Sequence, residues 1–366
     1  MNYTSLHYQI GLTLLYGVGP IKAKALLRSV ESIEQLFLMN PSQLEKITGF
    51  KASFIKETRR KEALVKSVEV VNHLHRNQIH PLFYDDPNYP RRLKNCIDAP
   101  LLLYQKGPVS LNPPKIVAIV GTRAATAYGK QICENLIPSF SGSDITVVSG
   151  LAMGIDAHAH KLCLEHNIPT IGVLGHGLDR IYPAQNRSLA NKMLNGGGLI
   201  TEFIPGTDPD RENFPKRNRI VAGISDATIV IESKTKGGSL ITAHLANDYN
   251  RDVFAFPGNV NTESSQGCNR LISNQKAHLV QNPQDFLTLM NWAEPNLQKN
   301  VQRILFPKLS AKQKSIVEII SNSTRVQIDV ISIKTNLPIT LLNTELFHLE
   351  MEGVIRSLPG KTYSLA

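Results

Sequence analysis

Apolar, β-branched runs recur through the middle of the chain, several of them closing on glycine. "KIVAIVG" (115–121), "ITVVSG" (145–150), "TIGVLG" (170–175), "GLITEF" (198–203), "ATIVIES" (227–233) and "VFAFPG" (253–258) read as strands. Stretches with helical spacing, such as "GIDAHAHKLCLEHN" and "NRSLANKMLN", lie between them. This alternation over residues 113–292 predicts an α/β unit with a doubly wound parallel sheet covered on both faces. Ligands of such sheets sit beyond the carboxyl ends of the strands. Residues 79–112, with several prolines and short apolar patches, read as an ordered lead-in, so the unit is taken as 79–292.

The flanks have a different pattern. Residues 1–78 read as helical, with Gly17 and Gly19 in a tight turn of "LTLLYGVGPIKAKALL" and a weaker copy, "LEKITGFKASFI", around Gly49. A helix-hairpin-helix of this kind presents backbone N–H groups to a phosphate, and Lys22 and Lys24 tilt that reading toward DNA. An equally good account is a small helical domain whose glycines only permit the turn. After the polar "AEPNLQKNVQRILFPK", residues 309–366 give three helical stretches and a hairpin, "VIRSLPGKTYSL", the layout of a winged helix. Its third helix, 338–352, carries Glu345, Glu350 and Glu352 with no Lys or Arg, which suits a protein contact or a structural role better than the phosphate-lined major groove.

Composition narrows the partners. Forty Lys and Arg against 30 Asp and Glu give a net charge of +10, which favours a polyanion but fits an ordinary basic enzyme equally well. Cys96, Cys133, Cys163 and Cys268 are scattered, with no Cys-x-x-Cys, so buried reduced thiols are expected rather than a zinc site or disulfides. The N-terminus lacks the layout of a signal peptide and no apolar run reaches about 18 residues, so a cytoplasmic protein with no membrane contact is expected.

Familiar catalytic and cofactor motifs are missing from the places where they belong. Seven residues separate Gly121 from Gly129 and Gln131 follows Lys130, which rules out a P-loop. No Gly-x-Gly-x-x-Gly follows the first strand, and in "GHGLDR" Arg180 stands at the third glycine position, which argues against NAD. Gly-x-Ser-x-Gly is absent; His158 and His160, two apart on a helix, face different ways and make a poor metal pair. Asp156 and His160 share a helix face, but a first-turn carboxylate beside a structural histidine explains them more simply than a catalytic dyad. No catalytic residue, metal or cofactor is therefore expected.

What the strand ends do offer is anion chemistry. Gly121, Thr122 and Arg123 follow the first strand, Ser149 and Gly150 the second, and Gly238, Ser239 and Thr242 open the helix after "ATIVIES". Small residues let backbone amides approach a phosphate at helix N-termini, and Arg123 adds a bidentate fork. "DRENFPKRNRIVAG" contributes Arg211, Phe214, Lys216, Arg217, Asn218 and Arg219, one aromatic among basic and amide side chains. A single-strand site needs that combination, charge along the backbone and a flat surface for a base.

"VAIVGTRAATAYG", "VVSGLAMGIDAHAH", "GVLGHGLDRIYPAQN", "FPKRNRIVAGIS", "GGSLITAHLA", "FAFPGNV" and "GCNRLI" occur in order over residues 80–292, and on these blocks the chain resembles the DNA-processing protein A family, DprA or Smf. The resemblance implies an extended Rossmann fold and a non-enzymatic, homodimeric single-stranded-DNA-binding protein that delivers incoming DNA to the RecA recombinase in natural transformation. It places the DNA pocket on Gly121, Thr122, Arg123, Arg211, Phe214 and the basic run through Arg219, and the dimer surface near Ile272 and Leu279. The chain departs from the family's frequent pattern in having Arg211 where Lys is common and "NQKAHL" where a Gly-Ala pair is common. The competing reading is a nucleotide N-glycosidic hydrolase of the lysine-decarboxylase-like type; "GGSLITAH" lacks the second-motif glycine and the glutamate that chemistry needs.

Overall fold

A computed structural model of the protein describes residues 3–49, 56–293, 309–323 and 325–365. The chain opens with α1 (Ser5–Thr13), α2 (Pro20–Arg28), α3 (Gln35–Leu38), α4 (Pro41–Thr48) and α5 (Glu57–Arg76). Gly17, at φ +76°, turns α1 into α2. Of the two lysines of this hairpin, the exposed Lys22 donates to the Gly17 carbonyl at 3.2 Å, and the half-buried Lys24 reaches the carbonyls of Cys96 and Ile97 at 3.5 and 3.4 Å. Beyond Gly49 the second, weaker copy of the hairpin lies outside the described residues, as do residues 294–308 of the polar linker.

The lead-in contains two strands that its prolines concealed, β1 (His80–Phe83) and β2 (Leu102–Lys106), flanking the short α6 (Arg91–Lys94). Then follow β3 (Lys115–Val120), α7 (Ala127–Leu136), β4 (Ile145–Ser149), α8 (Ile155–Glu165), β5 (Thr170–Val173), α9 (Arg187–Met193) and β6 (Gly198–Thr201). The second half contributes α10 (Asn213–Ile224), β7 (Ala227–Val230), α11 (Gly238–Asp248), β8 (Asp252–Ala255), α12 (Glu263–Ser273), β9 (His278–Leu279) and α13 (Pro283–Leu289). Among the described residues these strands form one nine-stranded sheet in the order β1-β2-β6-β5-β4-β3-β7-β8-β9. The six strands anticipated from the apolar runs are parallel, as is β9, while β1 and β2 are added antiparallel at one edge.

Both faces are buried, which is why the strands read as continuous apolar runs. Val117 and Ile119 pack with α7, α8 and α13 through Leu136, Ile155 and Phe286. Ile116, Ala118 and Val120 face the other way, into a core with Ile220 of α10, Ala243 of α11 and Leu271 of α12. A third core joins the first helices to the sheet edge, for Leu12, Leu36 and Leu74 cluster with Phe83, Leu102 and Tyr104. All four cysteines are buried as free thiols. Burial pushes Cys96 up to about 11 and Cys133 and Cys268 up to about 12, so none of these three is a nucleophile at neutral pH.

The C-terminal unit comprises α14 (Ala311–Ser321), β10 (Val326–Gln327), α15 (Ile328–Thr335), α16 (Ile339–Met351), β11 (Ile355–Leu358) and β12 (Thr362–Leu365), three helices on a small antiparallel sheet. It is a winged helix. Its wing touches the main sheet where Gly360 N–H donates to Asp252, and Asp329 pairs with the buried Arg251 at 3.5 Å. In α16, Glu350 is spent on the backbone N–H of Ser357 at 2.9 Å. No helix among the described residues is long and apolar enough to cross a membrane.

His160 of α8 lies fully buried against β5, its Nδ1 2.6 Å from Thr170 Oγ1. That hydroxyl donates to the Val147 carbonyl, so Nδ1–H is the donor to it, and Nε2 has no partner. Desolvation pushes His160 down to about 3, with the Arg217 charge adding to the effect. A histidine lowered in this way stabilises the fold fully above its unfolded value near 6.5 and progressively less as pH falls toward 3. Urea unfolding of the wild type should therefore lose about 2 kcal/mol more between pH 7 and pH 5 than the same measurement on His160→Leu. Equal losses would show that His160 is not held neutral.

Candidate nucleic-acid interface

The chain runs from β3 to β4, β5 and β6 on one side and returns to place β7 and β8 on the other, so the sheet changes direction between β3 and β7. A crevice forms there, outside the carboxyl ends of both strands. It holds a cleft of about 870 Å³ whose walls are the loop after β3, the start of α10, and the loop between β7 and α11.

The loop after β3 is fixed at both ends. On one side Thr122 carbonyl accepts the Ile155 N–H at 3.1 Å, laying the loop across the start of α8. Gly154 makes this crossing possible: its φ is +80°, and a Cβ there would sit 2.3 Å from the Thr122 carbonyl oxygen. On the other side the buried Glu232 accepts from the N–H and hydroxyl of Thr126, at 3.0 and 2.6 Å, and from Ser264 at 3.1 Å. Between these anchors Arg123 projects, exposed, with its guanidinium carbon 5.5 Å from the centre of the Phe214 ring. Tyr182 lies beside the same ring, centroids 5.9 Å apart and planes tilted by 35°. One cation and two aromatic rings thus share the mouth of the cleft.

The floor is ionic and buried. Arg217, 5% exposed, donates through Nη1 to the Val173 carbonyl at 2.6 Å. Burial lowers it to about 10, opposed by the Asp156 carboxylate, so it remains a cation at neutral pH. Asp156 in turn accepts the N–H groups of Gly150 and Ala152 at 3.1 and 3.4 Å; desolvation raises its carboxyl above the usual range while Arg217 and these amides pull the other way. A Cβ on Gly150 would lie 2.0 Å from Arg217 Nη1. The opposite wall is the start of α11, where no side chain caps the N-terminus, so its first amides are available to an anion. Asn218 reaches toward this wall, its Nδ2 3.4 Å from the Gly238 carbonyl.

Eleven of the fourteen residues expected at the site line the cleft: Gly121, Thr122, Arg123, Gly150, Arg211, Phe214, Arg217, Asn218, Gly238, Ser239 and Thr242. Three are not brought there. Ser149 is fully buried and donates to the Ile119 carbonyl at 2.6 Å. Lys216 points to solvent one turn from Glu212, at 4.0 Å. Arg219 lies on the far side of α10, where it pairs with Glu202 and donates to the Asp98 carbonyl at 2.5 Å. Lining residues that the sequence reading passed over include Tyr182, Lys234 and Lys236. The two lysines sit in "ESKTKGG" directly after a parallel strand, the same position that singled out Arg123, so the signal was present. Of the two dimer candidates, Leu279 lies in the edge strand β9 and is 45% exposed, while Ile272 on α12 is half-buried.

Residues 80–291 match the family model of DNA recombination-mediator protein A, and residues 307–361 that of the DprA winged helix domain. Protein Smf of Synechocystis is 38% identical over 271 residues, 73% of this chain and 68% of that protein. The DNA processing protein DprA of Streptococcus pneumoniae is 42% identical over 202 residues, 55% of this chain and 71% of that one. Among solved structures, that of S. pneumoniae DNA processing protein A superposes with a TM-score of 0.66 at 34% identity, covering 79% of this chain and 98% of the other. DNA processing protein A from Helicobacter pylori, described for its single-stranded DNA binding mode, gives 0.53 at 32% identity, over 58% and 94%.

The close approach of Gly150 to Arg217 is testable. Gly150→Ala should push the guanidinium off the Val173 carbonyl and cost roughly 1–3 kcal/mol of stability through overpacking. Gly150→Ala combined with Arg217→Met should cost less than the sum of the two single changes, measured by urea unfolding. Strict additivity would mean that the two residues do not share this space.

Proposed function

Because this chain belongs to the family of DNA recombination-mediator protein A, we propose that it is a DNA-processing protein that binds single-stranded DNA in the crevice between β3 and β7, without cutting it, and passes the strand to a RecA-type recombinase during DNA uptake. The observation that carries the reading is the stack of Arg123 on Phe214 at the mouth of a cleft whose back wall is an uncapped helix N-terminus. Phosphates have the guanidinium, Lys234, Lys236 and the α11 amides; bases have two rings and the guanidinium plane. H. pylori DNA processing protein A, similar to this chain at 32% identity, is described as a single-strand binder.

The carboxylates lining the cleft favour binding over hydrolysis. Asp156 is engaged by two backbone amides beneath the surface, and Glu263 pairs with Lys234 at 2.7 Å. Neither is placed as the free general acid or base that cleaving a glycosidic bond needs. Self-association through the β9 edge, with Leu279 and Ile272 at its centre, and a cytoplasmic location complete the proposal.

Fluorescence anisotropy with labelled oligothymidine tests it. The protein should prefer the single strand to duplex, with log K falling against log salt by about 0.7 for each phosphate neutralised. Arg123→Ala should reduce both affinity and that slope, and Phe214→Ala should cost about 1–3 kcal/mol with little change in slope. Wild-type binding by both variants, or release of free adenine from AMP incubated with the protein, would overturn the reading.

A further inference from the structure

The cleft does not end at Arg123. A second depression, of about 670 Å³, begins at that same residue and crosses the outer surfaces of α7, α8 and α9, where Lys130, Lys161 and Lys192 line it. Lys192 continues into a shallower groove along α9 that also contains Arg187. Four cations on three helices therefore extend the charge of Arg123 in one direction, away from the α11 wall.

Their surroundings leave most of that charge uncommitted. Lys161 meets Glu165 at 3.6 Å in an exposed i,i+4 pair, worth little in water. Glu134, the other carboxylate close by, is 3.4 Å from His158. Lys130, Arg187 and Lys192 have no carboxylate partner among the described residues. Lysines that only solubilise a helix are usually scattered among acids. Here they line concave surface that is continuous with a site already furnished for phosphate.

We infer that this second cleft is an exit track: a single strand gripped at Phe214 leaves over Arg123 and lies across α7, α8 and α9 with its phosphates on Lys130, Lys192 and Arg187. The inference rests on the single-strand reading of the first cleft and adds the path and footprint of the bound strand. It commits to one backbone. The track carries cations and amides such as Gln185, its lining includes no Phe, Tyr or Trp, and its one imidazole, His158, is largely covered beside Glu134 at 3.4 Å, so it takes phosphates and leaves bases to solvent. Affinity should then grow with oligonucleotide length beyond what the first cleft holds, and sequence should not matter along the added part.

The test compares a thymidine hexamer with an oligothymidine of about twenty nucleotides, by anisotropy across a salt titration, on the full chain and on Lys130→Gln/Lys192→Gln. Both lysines are exposed on helix surfaces, and far-UV circular dichroism checks that the fold is intact. The double variant should bind the long oligonucleotide about tenfold more weakly, with a salt slope lower by about 1.4, two contacts at roughly 0.7 each. Its binding of the hexamer should be unchanged. Arg123→Ala should weaken both lengths. A double variant that binds the long strand with wild-type affinity and slope would overturn the track while leaving the first cleft standing. Duplex binding lowered as much as the long strand's would overturn the assignment to a single strand. If Arg123→Ala and Phe214→Ala leave hexamer binding untouched, the site itself is misassigned and the track falls with it.

Discussion

A buried guanidinium holds the crevice open. Arg217 lies beneath the cleft in the field of the Asp156 carboxylate, with one N–H on the Val173 carbonyl, so α10 is tied directly to the end of β5 and drawn electrostatically toward the first turn of α8. The group fits because Gly150, at the end of β4, has no side chain in its way. Without Asp156 the buried Arg217 would lose the carboxylate whose charge opposes its desolvation. The same geometry determines what the surface offers: with Arg217 committed below, Arg123 remains above as the exposed cation against Phe214.

Much of the sheet was legible because its strands are buried on both faces, and a run such as Ile116–Val120 has no polar positions to confuse with a helix. The two antiparallel strands were not. Pro81 and the prolines around residue 90 disguise β1 and β2 as loop, and their pairing is fixed by packing against the first helices, through Phe83, Leu102 and Tyr104, rather than by local pattern. Tertiary contact supplied what propensity withheld.

The site was legible in its chemistry and less so in its geometry. Reading "FPKRNR" as one basic run ignored the 100° turn between successive helical residues. Phe214, Arg217, Asn218 and Val221, spaced i, i+3, i+4 and i+7, all reach the cleft, whereas Lys216 and Arg219 on other faces do not. That periodicity was available in the sequence. The role of Gly154 was not, because only the crossing of two loops distant in the chain shows why a side chain is excluded there. Nor did the sequence show that Lys24, which tilted the hairpin reading slightly toward DNA, lies half-buried beside the carbonyls of Cys96 and Ile97.

The two rims of the sheet are unlike. At β1 the outermost strand is four residues long and includes Pro81, which has no N–H to give, and the first helices are packed against its inner residues. At β9 the rim ends in a strand of two residues with an exposed leucine. A strand that short exposes few ladder groups, so neither rim offers the long, flat edge on which sheets add strand to strand and grow into a ribbon.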